Sequence, residues 1–148
     1  MIEHRVYLVG YAGRKPSELG AACARLSARL VDIRYSPRSR KPEWSGARLR
    51  ALLGASYLHL PAFGNADYRG EGIRLADPES GIAVVAALLA ESSVILMCQC
   101  ATTRGCHRAH VADLLRATLG VEVMELDAAL AALEPIKPVQ TGLFGGER

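Results

Sequence analysis

Short runs suited to buried strands alternate with stretches suited to helices along the whole of this chain, and that alternation restricts the fold more than any other feature. The runs are RVYLVG at 5–10, LVDIRY at 30–35, SYLHL at 56–60, SVILMC at 93–98 and VEVMEL at 121–126. Each is short and largely apolar, RVYLVG also being β-branched, and each ends on glycine, proline or polar residues. Between them lie helical signals. Pro16-Ser17-Glu18 opens one helix, because proline fits a first turn and an acidic group favours a helix N-terminus. Leu19, Cys23, Leu26 and Leu30 recur at its spacing. Ser45 is placed to cap a helix carrying Leu49, Leu52 and Leu53, which Gly54 ends. Asp77-Pro78-Glu79 opens a third helix reaching Ala90, the run from Ala109 to Leu115 is amphipathic, and Asp127 is placed to cap a last short helix. Strand and helix in alternation predict a single-domain α/β fold. The expected form is a three-layer sandwich with a mostly parallel sheet of about five strands, helices on both faces and right-handed crossovers. The domain is expected over 1–134, with 135–148 a flexible C-terminal tail entered through Pro135 and Pro138.

A chain of 148 residues is long enough for one substantial core. Its longest apolar run, near 81–90, is too short to span a bilayer, so no membrane association is expected. MIEHRVYLVGYAG lacks the pattern of a cleavable leader, and a cytoplasmic location follows as the expectation. In that compartment the four cysteines are expected as reduced thiols. The net charge of +3 says little about partners, but Arg34, Arg38, Arg40 and Lys41 crowd into DIRYSPRSRKP. The ordinary explanation of such a run is a solvated basic loop.

The most reactive residue types collect in VILMCQCATTRGCHRAHVADLL. A buried strand leads into this stretch and a helix leads out, which places Cys98, Cys100, Cys106, His107 and Arg108 at a strand tip. Gly10 and Tyr11, Arg34 to Arg40, and His59 end neighbouring strands. Glycine amides, arginine forks and the helix N-terminus after Gly105 together suit a phosphate or sulfate ester. The phosphate-binding set is thus Gly10, Tyr11, Arg34, Arg38, Arg40, Arg104 and Arg108, and a pairing of Asp32 with Arg34 is the internal alternative. Tyr11, Tyr35, Trp44 and Tyr68 lie beside these loops, where aromatic faces would stack on bases.

A second chemistry uses the same loop. Cys98 and Arg104 have the C-x5-R spacing of cysteine phosphatases, although QCATT between them has no glycine. LVDIR before a basic loop is reminiscent of the rhodanese fold, which brings in sulfur transfer. Cys98, Cys106, His107 and His59 are the catalytic candidates, the histidines as acid or base near neutral pH. A lone strand-end histidine such as His59 is often structural, and buried cysteines such as Cys23 often act as small hydrophobes. Cys98, Cys100, Cys106 and His107 also raise zinc. The C-x-C-x5-C-H spacing is uncommon, and adjacent Cys106 and His107 fit one ion poorly, so neither a metal nor another cofactor is expected.

VGYAG, LVDIRYSPRSRKP, YLHLPAFG and the C-x7-CHR pattern from Cys98 to Arg108, in that order, resemble the domain of unknown function 488 family. The resemblance extends to about Leu126. It implies an α/β fold with the site at these motifs, and it carries no settled reaction. Many relatives have an acidic residue where this chain has Cys100, so a carboxylate role there does not transfer.

In the tail, Gln140, Leu143 and Phe144 look like the Q-x-x-L-F peptide by which bacterial polymerases and repair proteins dock on the sliding clamp. The alternative is that Leu143 and Phe144 fold back on the domain. The sequence therefore predicts a protein that binds nucleic acid or a nucleotide, with a DNA-maintenance role and a clamp-binding tail. The competing prediction is a thiolate-dependent enzyme, phosphatase-like or sulfurtransferase-like, using a cysteine of loop 98–106.

Overall fold

The computed structural model describes residues 3–67, 70, 72–100 and 106–133. Arg104, Gly105, Tyr68 and the clamp-like residues Gln140, Leu143 and Phe144 lie outside the described residues. Five strands form one sheet in the order β3-β2-β4-β1-β5. They are β1 (Val6–Gly10), β2 (Ala28–Asp32), β3 (Tyr57–His59), β4 (Ser93–Cys98) and β5 (Val123–Glu125). Every pairing is parallel, so the predicted sheet is present without an antiparallel exception. The α/β sandwich is thus established.

The helices divide between the two faces. Helices α1 (Pro16–Leu26), α2 (Gly46–Leu53) and α5 (Leu126–Ala132) pack on the face that carries Tyr7, Val9, Leu30, Ile95 and Met97. Helices α3 (Pro78–Leu89) and α4 (His107–Leu119) pack on the face that carries Val6, Leu8, Val31, Leu96 and Cys98. Each central strand is therefore apolar on both sides. That is why β4 reads as a continuous buried run rather than an alternating one. None of the described helices is long and apolar enough to cross a membrane.

Several boundaries differ from the sequence reading. Leu30 fits the helical spacing of α1 but belongs to β2, because Ser27 adopts a left-handed conformation (φ 49°) that ends the helix. Strand β2 stops at Asp32, three residues early. There the Asp32 carboxylate accepts from the Arg34 backbone N–H and turns the chain out of the sheet. Asp127 does not cap α5. Glu125 holds the cap position, while Asp127 sits in the first turn and pairs with Arg14. Ser45 accepts the capping bond expected of it, from Arg48, and Asp77, at the predicted opening of α3, caps that helix by accepting from Ser80.

Candidate functional site

Parallel pairing brings the C-terminal ends of β1, β2, β3 and β4 to one edge. Gly10 is level with Cys98, and Asp32 is level with both Met97 and His59. The backbone continues the register beyond the strands. Tyr11 N–H donates to the Cys98 carbonyl (2.9 Å), and Ile33 N–H donates to the Met97 carbonyl (2.9 Å).

The cysteine loop leaves this edge at Cys98 and returns at Cys106, the N-cap of α4. Cys98 Sγ and Cys106 Sγ are 3.0 Å apart and buried, whereas Cys100 is exposed. All three sulfurs lie within 4.8 Å of one another. Arg108 comes from the first turn of α4 and is only 1% exposed. Its Nη1 donates to Cys98 Sγ (3.0 Å), to the Cys100 carbonyl (2.8 Å) and, at 3.7 Å, to Cys106 Sγ. Its Nη2 stands 3.6 Å from the half-exposed Glu125 carboxylate. Among the described residues Arg108 Nε has no hydrogen-bond partner.

Gly10 makes this arrangement fit. A Cβ there would stand 1.2 Å from the Cys100 carbonyl oxygen and 2.9 Å from Arg108 Nη1. The glycine thus provides the space through which the Cys100 backbone closes onto β1.

The three thiols do not titrate alike. The hydrogen bond from the Cys98 thiol holds the Cys106 sulfur well below the ordinary thiol range. Burial opposes this, and His107 and the Arg108 backbone N–H reinforce it. Cys100 is also lowered, first by its hydrogen bond with Cys98. Cys98 is pushed up by the bonds it makes to Cys100 and Cys106 and by burial, against the pull of Arg108. The surroundings therefore favour the thiol form at Cys98 and the thiolate form at Cys106 and Cys100. Burial pulls His107 down, but its bonds to Cys106 and to the Ile33 carbonyl more than offset that, and its net shift is upward. His107 Nε2 is 2.9 Å from the Ile33 carbonyl, and Nδ1 faces Cys106 Sγ at 4.0 Å.

Cys98, Cys100 and Cys106 are close enough together for one soft metal ion to reach all three. Tetrahedral bonds of about 2.3 Å would hold two sulfurs about 3.8 Å apart. The 3.0 Å Cys98–Cys106 pair would have to open for that, with the Arg108 cation already against it.

The arginines predicted to hold phosphate are placed differently from one another. Arg34 is buried, and its Nε and Nη2 grip the Asp32 carboxylate at 2.8 and 2.6 Å, so the internal pairing is the one formed. Tyr57 Oη donates to the same carboxylate (2.6 Å), and the Arg34 guanidinium also lies 5.3 Å over the Tyr11 ring. Tyr11 is itself buried and stacked on Trp44, with ring centroids 4.5 Å apart, so neither aromatic offers a free face at a loop rim. Arg38 and Arg40 are exposed. Arg38 lines a cavity of about 460 Å³ with Ser36, Ser45, Arg50 and His59. His59 Nε2 is 2.8 Å from the Arg34 carbonyl, which anchors the ring.

Sequence reasoning missed or understated three participants. Cys100 enters it at the strand tip and as a zinc candidate but not among the catalytic residues, yet its sulfur joins the cluster. Glu125 ends β5 at the edge of the sheet and reaches Arg108 only through the strand order. Asp32 entered only as a possible partner of Arg34, and its acidic character within an apolar strand was the available signal.

The family model described as a domain of unknown function, DUF488, matches residues 24–115, more than half of the chain. The match takes in the basic loop, His59 and the cysteine loop, and it leaves β1 with its VGYAG turn outside. No curated protein and no solved structure gives a significant match.

Proposed function

The chain belongs to the DUF488 family, whose description assigns no reaction, and from the site itself we propose that the protein is a thiolate-dependent enzyme of the sulfurtransferase-like kind. One observation carries this reading. Two thiols lie 3.0 Å apart at the end of β4 and the start of α4, with a buried guanidinium against them. Such a pair has little use as packing alone, because a buried cation needs a compensating charge and a thiolate supplies one. In this reading Cys106 is the thiolate, Cys98 its hydrogen-bond donor, Arg108 its counter-ion and His107 its second donor.

The phosphatase-like version fits less well. It needs Cys98 to attack, and Cys98 is the buried sulfur whose hydrogen bonds to Cys100 and Cys106 push its pKa up.

Peptide-resolved iodoacetamide alkylation against pH tests the proposal. An ordinary thiol reacts with a midpoint near about 8.5. The expected result is at least one loop cysteine reacting with a midpoint well below that in the native protein. If all loop cysteines show an ordinary midpoint, or react only after denaturation, the reading fails.

A second reading rests on the cavity beside Arg38, Arg50 and His59, which lies next to the N-terminus of α2. It supports a phosphate ligand, a nucleotide or nucleic acid, bound between the basic loop and α2. Arg38→Ala with Arg40→Ala should then weaken nucleic-acid and nucleotide binding at low salt, and unchanged binding ends this reading. A DNA-maintenance role and clamp docking through Gln140, Leu143 and Phe144 form part of it. A tail peptide with Leu143→Ala and Phe144→Ala is the matching control for clamp binding.

A further inference from the structure

The thiolate reading leaves a problem of access. Cys98 and Cys106 are 1% and 2% exposed, so a bulky substrate does not reach either sulfur directly. Cys100 is exposed, and its sulfur lies within 4.8 Å of both. Its carbonyl is fixed by Arg108 Nη1 in the notch left by Gly10, which holds the residue over the buried pair. We propose that Cys100 is the solvent-facing catalytic thiol through which disulfide substrates oxidise the buried Cys98–Cys106 pair. The inference rests on the thiolate reading above and assigns disulfide exchange, rather than sulfur transfer, to the same site.

The chemistry balances without a further co-reactant. The Cys100 thiolate attacks one sulfur of a disulfide RS–SR. A Cys100–SR bond forms, the substrate S–S bond breaks, and RS⁻ leaves and takes up a proton. The Cys106 thiolate then attacks the Cys100 sulfur, forming a Cys100–Cys106 disulfide and releasing the second RSH. Cys98 gives up its proton and attacks the Cys106 sulfur, which leaves a Cys98–Cys106 disulfide and a free Cys100 thiol. The substrate gains two electrons from the Cys98 and Cys106 sulfurs; the Cys98 proton passes to the Cys100 thiolate, and the two protons on the released thiols come from solvent. Only the last exchange has to close two sulfurs that already stand 3.0 Å apart. A dithiol reductant would reopen the bond for another cycle.

The experiment uses the full chain and glutathione disulfide, with intact-mass and peptide mapping over time. The reduced wild-type protein should lose two hydrogens, gain no lasting adduct and yield the Cys98–Cys106 linked peptide. Cys106→Ser should stop at one glutathione adduct on Cys100, and Cys98→Ser should stop at a Cys100–Cys106 link. Cys100→Ser, an exposed change that leaves the core intact, should form the Cys98–Cys106 link at least about ten-fold more slowly. A circular dichroism spectrum and melt of each variant confirms folding, and Cys100→Ser alone decides the matter if a buried variant misfolds. The relay is overturned if Cys100→Ser is oxidised at the wild-type rate, or if the adduct in Cys106→Ser sits on another cysteine. Alkylation of the wild-type protein separates the two failures. A low midpoint with unimpaired Cys100→Ser removes the relay and keeps the thiolate reading, whereas ordinary midpoints at every loop cysteine remove both.

Discussion

Two arginines are buried at the same edge of the sheet, and their surroundings differ. Arg34 meets Asp32 in a two-pronged ion pair, with Tyr57 on the same carboxylate and Tyr11 beneath the guanidinium. Arg108 meets thiols, a carbonyl, a half-exposed Glu125 at 3.6 Å, and no partner for Nε among the described residues. The first site is closed: its charges are matched by side chains on one short segment. The second depends on the state of its sulfurs. A carboxylate supplies charge as a fixed part of the fold, whereas a thiolate supplies it only while reduced and ionised. Arg34 therefore serves as an internal staple and Arg108 as part of a reactive centre.

Substitutions can break or sharpen that contrast. Asp32→Ala should have the largest effect, a loss of about 3–5 kcal/mol in denaturant unfolding, because it leaves the Arg34 charge buried and uncompensated. It should leave the alkylation midpoint of the loop thiols close to wild type; a large shift would mean that the two arginine sites act as one. Gly10→Ala should cost about 1–3 kcal/mol by overpacking, since the new methyl group overlaps the Cys100 carbonyl. Here the alkylation profile should change along with stability, and a profile like wild type would detach the glycine notch from the thiol site. Arg108→Met should do the reverse of Asp32→Ala. Replacing a buried ion by an apolar side chain is often neutral for stability, while the reactive thiol should move back toward about 8.5.

The smallest effect belongs to His107→Gln. The folded histidine titrates above its ordinary value, so its contribution to stability is complete below about pH 6.5 and is lost as pH rises through the raised value. The wild-type advantage in melting temperature should therefore be greater at pH 5.5 than at pH 9, and the opposite slope would show that His107 is held neutral.

The sheet and its helices were legible because their signals are local. Apolar runs, a capping serine at 45 and a capping aspartate at 77 each point to one structure within a few residues. The boundaries that moved were decided elsewhere. Leu30 matches the period of α1, and only the left-handed Ser27 transfers it to β2. Asp127 has the right chemistry for a cap, but Arg14 holds its carboxylate. At the site, the location could be read from the crowding of cysteines, histidine and arginine after β4. The roles could not. Arg34 and Arg108 look alike in the sequence, and what separates them is that Asp32 lies two residues from one while the sulfurs fold onto the other. Glu125 comes near Arg108 because β5 follows β1 rather than β4 in the sheet, a choice that no short motif records.

That strand order also bears on how the chain is made. β4 stands between β1 and β2 and pairs with both, and β1 and β2 do not pair with each other. A chain synthesised from its N-terminus has β1, β2 and β3 available long before residues 93–98 emerge, yet the two halves of the sheet cannot join until they do. The strand that joins the two halves is also the strand that carries Cys98. The loop thiols acquire their distinctive surroundings only when that strand is inserted and α4 has brought Cys106 and Arg108 against it. On a nascent chain their chemistry would therefore mark the joining of the two halves of the sheet.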